Sequence, residues 1–300
     1  MLSILFGKTF RAAKIMAQPR KSYKNQATLT AHEKEQNLRR LMREMRRVLV
    51  AYSGGVDSAY LSLIATQELG ENAVCITGIS PSVSQVQREE AERIAADFNF
   101  NFQTIRTGEL ENPAYQANPT NRCYHCKTEL YGKLSLIAET ENIDFILDGT
   151  NADDAAGDYR PGKLAAQEKG VRSLFVEVGL TKQEIRDLSR AQNLPTWDKP
   201  ASPCLSSRIA YGVPVTIERL SKVERGEAFL RAEGFREFRV RVHDDIARLE
   251  IAPAEMARAL NVETAEKFAA KFRSLGFKYV TLDLHGYRSG AMNEVLKVKN

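Results

Sequence analysis

Apolar residues in this chain fall into short unbroken runs, separated by longer stretches in which they recur every three or four positions. Val48-Leu49-Val50-Ala51 is one such run. Ser53-Gly-Gly-Val-Asp-Ser58 follows it, and a helical pattern then extends from Ala59 to Leu69. The spacing predicts a buried strand, a tight turn and a helix N-terminus. Similar runs predict strands at 73–79, 102–106, 145–148 and 173–178, alternating with helices over 30–46, 82–98 and 181–192. Thr181 and Glu184 match a capping box at the start of the last helix. Alternation of this kind specifies a parallel α/β sheet.

Beyond 197–214, a stretch rich in Pro, Ser and Gly, the pattern changes. A helix over 217–233, a hairpin of 237–243 and 247–251 around Asp244-Asp245, a helix over 253–275 and a strand at 279–285 suggest a small α+β domain. Alternation puts Phe238, Val240 and Val242 on the packed face and Arg239, Arg241 and His243 on the other. That charged face is either a solvated sheet surface or an anion-binding floor. The expected organisation is a basic extension over 1–30, an α/β domain over 31–200, a junction over 201–214 and the α+β domain over 215–300.

Composition adds limits: 43% hydrophobic and 27% charged residues over 300 positions describe a soluble globular chain of one large or two ordinary domains. No apolar stretch approaches the roughly 18 residues of a membrane span. The net charge of +5 is local: residues 1 to 48 hold twelve Lys and Arg against three acids, and the rest is net negative. A nucleic-acid partner is therefore not expected, because such binders spread basic charge over the folded body. The first 24 residues have six basic residues and no acid, a composition that suits a transit peptide or an upstream start before Met16. A disordered extension without a catalytic role is the expectation. Four cysteines do not make a secreted disulfide framework of this size, which favours a reducing, cytoplasmic setting. Cys75, inside the 73–79 run, is expected to be a core residue.

Three places carry chemistry. Gly54 and Gly55 let backbone N–H groups, Ser53, Ser58 and the following helix dipole converge on one point, which suits a phosphate or pyrophosphate. Asp148-Gly-Thr-Asn-Ala-Asp-Asp154 would fall at the same carboxyl edge of the sheet, where ligands of such folds bind. There Asp153 and Asp154 would position Mg²⁺ or a nucleotide, or would cap the next helix. Cys123-Tyr-His-Cys126 with Cys204 is the third place. A CxxC is open to zinc, an Fe–S cluster or a redox dithiol. His125 is poorly spaced to complete a zinc set, and three thiolates would leave one cluster iron open. Pro203, the neighbouring hydroxyls and Arg208 would favour the Cys204 thiolate.

Ser53-Gly-Gly-Val-Asp-Ser58 lacks the Walker Lys and the GxGxxG spacing, and it resembles the PP-loop of ATP pyrophosphatases. In such a loop Asp57 would help to hold Mg²⁺. Together with Asn121-Arg-Cys-Tyr-His-Cys-Lys127, Asp148–Asp154, Asp158-Tyr-Arg-Pro-Gly162, Thr196-Trp-Asp-Lys-Pro200, Cys204-Leu-Ser-Ser-Arg208 and Gly286-Tyr-Arg-Ser-Gly-Ala-Met-Asn-Glu294, the loop is similar to the LarE family of ATP-dependent sulfur transferases. The match runs from about residue 33 to 296 and leaves only the basic extension outside. It implies ATP-driven adenylation of pyridinium-3,5-biscarboxylic acid mononucleotide and conversion of the activated carboxylate to a thiocarboxylate for a nickel-pincer cofactor. In single-cysteine members the equivalent of Cys204 gives up its own sulfur. In members with three cysteines, the equivalents of Cys123, Cys126 and Cys204 hold a 4Fe-4S cluster that carries the transferred sulfide, and this is the reading adopted for the present chain. By the same resemblance Ser207 and Arg239 would bind the substrate phosphate, with Arg241 near it. Glu227 would be the base that assists sulfur release, or merely an exposed helical Glu. A small nucleotide substrate, a sulfide source and a homo-oligomer follow. The competing readings are a PP-loop tRNA thiolase, a non-enzymatic ATP- and Fe–S-binding adaptor, and an amidotransferase-like ligase, for which no glutaminase domain is present.

Overall fold

The computed structural model describes residues 29–156, 161–288 and 290–293. The basic extension up to residue 28, positions 158–160 of the Asp158–Gly162 motif, and Ser289 and Glu294 of the last motif lie outside the described residues.

Helix α1 (Ala31–Met45) begins at Thr30, whose hydroxyl accepts from Glu33 N while the Glu33 carboxylate accepts from Thr30 N. Its narrow apolar stripe, Leu38, Met42 and Met45, is buried in the same cluster as Val48 and Val50 of β1 (Val48–Ala51). Next come α2 (Val56–Leu69), β2 (Ala73–Ile79), α3 (Gln85–Asp97) and β3 (Asn101–Arg106). A short α4 (Pro113–Gln116) and a long α5 (Arg122–Glu141) lead to β4 (Phe145–Leu147). The four strands are parallel in the order β3-β2-β1-β4. Successive connections therefore diverge at the carboxyl end of β1, which opens a crevice between the loops after β1 and β4. Cys75 pairs opposite Val50 in the sheet and is fully buried; burial pushes its thiol up to about 11. It is a core residue, as expected.

Beyond β4 lie α6 (Ala152–Ala156), α7 (Pro161–Glu168), α8 (Leu174–Val178) and α9 (Lys182–Ala191). Helix α8 corrects the strand expected at 173–178. The chain touches the sheet only at Arg172, in an isolated bridge to Leu147, and then coils. Leu174, Phe175 and Val178, one face of a helical turn, are the buried members of the run. Gly179, with φ of 75°, ends the turn. A short apolar run does not distinguish a strand from a buried helical turn, and packing decided it.

A 3₁₀ turn, Leu205–Arg208, punctuates the loop that follows. The second sheet takes the order β5-β6-β7, with β5 (Phe238–His243) antiparallel to β6 (Ile246–Ile251) and β7 (Tyr279–Leu282) parallel to β6. Helix α10 (Ile217–Ala232) packs on it through Leu220, Val223 and Leu230. The single helix expected over 253–275 is divided into α11 (Met256–Ala259) and α12 (Val262–Ser274). Asn261 starts the second, its Oδ1 accepting from Glu263 N at 3.0 Å and Thr264 N at 3.4 Å.

Candidate active site

The turn after β1 gathers hydroxyls and free backbone N–H groups at one point. Gly54 takes φ of 70°, and a Cβ there would stand 2.7 Å from Ala91 Cβ on α3, so the position needs glycine twice over. Ser58 Oγ accepts from Ser53 N at 3.1 Å and lies 3.0 Å from Ser53 Oγ, which holds both hydroxyls at the mouth of the turn. Gly55 occupies the N-cap of α2 without a capping side chain, so first-turn N–H groups remain for a ligand. Two ammonium groups flank this turn. Lys182 Nζ, at the start of α9, lies 2.5 Å from Asp57 Oδ2, and Lys199 Nζ lies 3.1 Å from Gly54 O and 2.7 Å from Glu90 Oε2. Asp57 also accepts from Asn151 Nδ2 at 3.3 Å.

The loop after β4 meets the same turn. Asp148 is buried and accepts from Tyr131 Oη, Thr150 N, Thr150 Oγ1 and Ser173 Oγ, a set that fixes the loop's path. Asp153 Oδ2 accepts from Lys182 N at 2.7 Å. That is the helix-capping alternative of the two expected for Asp153, served on α9. Asp154 N donates to Asn151 Oδ1 at 2.9 Å. A Cβ on Gly149 would stand 2.9 Å from Ser58 N and 3.1 Å from Asp57 Cβ, so this loop and the α2 N-terminus are in direct contact. Gly149→Ala is expected to push the two apart, destabilising the fold by about 1–3 kcal/mol and weakening ATP binding. Thermal melts with and without ATP check both effects, and an unchanged ATP-induced shift would refute the second.

Cys123 and Cys126 lie on the first turn of α5, and Cys204 occupies the N-cap of the 3₁₀ turn. Burial first, then the Cys204 and Glu109 charges, push the Cys126 thiol up to about 12. Cys123 keeps part of its surface exposed, yet desolvation by the surrounding protein and then the Cys204 charge also raise it, so the three sulfurs share one neighbourhood. Among the described residues, however, no three His, Cys, Asp or Glu side chains stand close enough together to hold one metal ion. The donor set is right in kind for a three-thiolate cluster, in which each sulfur takes a different iron and none shares a single ion. Lys127 lies beside these sulfurs over the Tyr131 ring, 5.3 Å from its centroid. Burial works against its charge, yet Tyr131, Cys126 and Asp148 raise it to about 12.

Buried polar bonds hold the two cysteine segments together. Asn118, fully buried, donates to Ile209 O, Ala210 O and Val213 O, and accepts from Arg122 Nη1. Arg122 Nη1 also donates to Ser206 O at 2.8 Å. On the other side, Arg208 Nε lies 2.9 Å from Glu227 Oε1 and its Nη1 donates to Pro203 O and to Cys204 O. Glu227 is therefore a buried anchor of the Cys204 turn, which corrects the exposed helical alternative.

Arg241 likewise is not on a solvated face. It is 5% exposed and lies 2.8 Å from Glu250, which is fully buried. The 3₁₀ turn covers this face, with Arg241 Nη1 donating to Ser207 O at 3.2 Å. Ser207 Oγ is turned to Cys204 O at 2.8 Å. Arg239 has no carboxylate within ion-pair distance among the described residues; it stacks on Tyr287 at 4.8 Å and donates to Ala201 O. Burial first, and then the neighbouring Arg208, lower its pKa, and an anion placed there would offset both.

The sequence reading missed Lys182, Lys199, Asn118, Arg122, Tyr115 and Glu109. Lys182 left a trace, since it is the first residue of a helix opened by a capping box. Arg122 and Lys199 lie inside the Asn121–Lys127 and Thr196–Pro200 motifs, which gave them no role of their own, and Asn118, Tyr115 and Glu109 left no trace, because most of their partners are remote in the chain.

No family model matches this chain. An uncharacterized protein of Synechocystis sp. is 44% identical over 263 residues, covering 88% of this chain and 98% of that protein. The pyridinium-3,5-bisthiocarboxylic acid mononucleotide synthase of Lactiplantibacillus plantarum is 35% identical over 268 residues, 89% of this chain and 96% of that one. A probable tRNA sulfurtransferase of Methanothermobacter thermautotrophicus is 26% identical over 167 residues, which is 52% of this chain and 42% of the relative.

Proposed function

The chain belongs to the LarE family of PP-loop sulfurtransferases, and on that premise we propose that it replaces an oxygen of pyridinium-3,5-biscarboxylic acid mononucleotide by sulfur at the expense of ATP. A substrate carboxylate oxygen attacks the α-phosphorus, and pyrophosphate leaves into the turn formed by Ser53, Gly54, Gly55 and Ser58. The acyl adenylate is a strong electrophile. A sulfur nucleophile adds to its carbonyl carbon and AMP departs with the carboxylate oxygen; hydrosulfide as donor also releases one proton. Asp57 and the phosphates would hold Mg²⁺, which supplies charge neutralisation for the departing pyrophosphate. Lys182 and Lys199 are placed to do the same from the protein. Arg239 would take the substrate phosphate. In this reading residues 31–200 bind ATP, 215–300 bind the substrate, and 201–214 carry Cys204 between them.

The observation that carries this reading is the direct link between the nucleotide edge and the cysteine turn: Leu205 N donates to Ser82 O, in the loop after β2, at 2.8 Å. Two sources of sulfur share these residues. The place of Cys204 on the turn bonded to the nucleotide edge suits its use as its own donor; the pair Cys123 and Cys126 favours delivery from a 4Fe-4S cluster fed by sulfide. The reading includes a homo-oligomer on family analogy alone. Among the described residues, no helix is long and apolar enough to cross a membrane.

Anaerobically prepared protein, given ATP, Mg²⁺, the biscarboxylate nucleotide and sulfide, is expected to release one pyrophosphate per thiocarboxylate. Several thiocarboxylates per chain, with bound iron, indicate the cluster. One at most, with the elements of hydrogen sulfide lost from Cys204, indicates the sacrificial route. Absence of both pyrophosphate and thiocarboxylate would sink the proposal.

A further inference from the structure

A buried chain of hydroxyls, with no part in the chemistry above, joins the Cys204 turn to the nucleotide sheet. Ser206, two residues past Cys204, is fully buried, and its Oγ lies 2.7 Å from Tyr115 Oη. Tyr115, itself buried, donates to Ser82 Oγ at 3.3 Å. Ser82 Oγ donates in turn to Glu109 Oε1, which also accepts the Ser80 hydroxyl. Glu109 is 3% exposed, no Lys, Arg or His stands within ion-pair distance of it among the described residues, and its Oε2 has no partner.

These contacts fix a direction. Because the Ser82 proton is committed to Glu109, Ser82 can only accept from Tyr115. Tyr115 has a single O–H, so Ser206 must donate to it. Ser80 Oγ also lies 2.8 Å from Ser82 Oγ, and with Glu109 accepting from both serines every hydroxyl of this buried chain has a partner, so the network specifies position rather than mere attraction. On the side of the second sheet the turn is held by Arg208, paired with Glu227, and by Arg241; Cys204 caps it without a side-chain bond of its own. Its attachments to the nucleotide side are Leu205 N to Ser82 O, Arg122 to Ser206 O, and the Ser206–Tyr115 hydroxyl pair.

We propose that Tyr115, oriented by Glu109 through Ser82, is a positioning residue that holds the Cys204 sulfur in register with the acyl adenylate formed at the nucleotide turn. The inference rests on the adenylation reading and adds to it a residue that acts on the second half-reaction alone. Tyr115 touches neither nucleotide turn nor phosphate, so its loss leaves the first half-reaction intact. Without its O–H, Ser206 loses its partner and the turn its register.

Tyr115→Phe tests this, because it removes one oxygen and keeps the packing. Pyrophosphate release and thiocarboxylate formation are measured in the same reaction. Pyrophosphate release is expected at the wild-type rate, with thiocarboxylate per pyrophosphate reduced about tenfold. An unchanged ratio overturns the proposal. A parallel fall in both rates also overturns it, since that is what a merely structural role would give. Ser206→Ala removes the other half of the pair and is read by the same ratio should Tyr115→Phe not fold. Failure of the adenylation reading shows separately, as a wild-type chain that releases no pyrophosphate, and the inference falls with it.

Discussion

Cys204→Ala is expected to reduce thiocarboxylate formation by about three orders of magnitude or more while pyrophosphate release continues. In the proposed reaction the two halves would use different parts of the molecule. Adenylation would use the turn of Ser53 to Ser58 and the two ammonium groups beside it, none of which touches Cys204 directly. Sulfur transfer needs a sulfur at the activated carbonyl, and Cys204 is the cysteine on the turn bonded to the nucleotide edge through Leu205 and Ser206. Whether Cys204 donates its own sulfur or holds a cluster, alanine leaves nothing to attack, and the acyl adenylate would be lost to water. Quantifying AMP, pyrophosphate and thiocarboxylate together reads the effect. Wild-type thiocarboxylate from the variant would remove Cys204 from the mechanism.

Cys123→Ala separates the two sulfur sources within the same assay. A cluster that loses one of three thiolates should fail as completely as Cys204→Ala, whereas a sacrificial Cys204 should deliver its one sulfur regardless. The three thiols already sense one another, since the Cys204 charge raises both Cys123 and Cys126, so a modest change in Cys123→Ala is compatible with the sacrificial route.

Local pattern made the nucleotide half of this fold legible. A run of four apolar residues, two glycines and a helical period are enough to define strand, turn and helix, because each is decided by its own residues. The Thr181 capping box was equally plain, and it fixes the helix that carries Lys182. What local pattern could not supply was the partner. Lys182 meets Asp57 across 125 positions and Lys199 meets Gly54 across 145, separations over which spacing carries no information. At strand β5 alternation correctly placed Arg241 opposite Val240 and Val242, but left its face open between a solvated surface and an anion-binding floor, because nothing local says which segment covers it. Here the 3₁₀ turn does so, and a buried Glu250 on the neighbouring strand makes the burial tolerable. At α8 the apolar run itself was ambiguous, and only packing of Leu174, Phe175 and Val178 resolved it.

Arg208→Ala is expected to cost about 3–5 kcal/mol of stability, because it strips a buried carboxylate of its only ion-pair partner among the described residues. The side chains of Arg208 and Glu227 are 4% and 10% exposed, and they meet at two points, Nε to Oε1 at 2.9 Å and Nη2 to Oε2 at 3.3 Å. Removing the guanidinium leaves Glu227 with one long bond, from Val240 N at 3.4 Å. Denaturant unfolding measures the loss, and a change under about 1 kcal/mol would mean that the pair is open to water. Replacing both partners at once, as Arg208→Met with Glu227→Leu, should recover most of the stability, since apolar residues of similar volume fill such a site at little cost. Activity should not return with it. Arg208 also donates to Pro203 O and Cys204 O and to Ser207 Oγ, so it clamps the backbone on both sides of the Cys204 sulfur, and Met offers no donor. A stable double variant that releases pyrophosphate but transfers little sulfur would show that the pair serves sulfur transfer, through the turn it holds or through Glu227 as the base. Full activity from that variant would assign Arg208 and Glu227 to the fold alone, and would also remove Glu227 as a base.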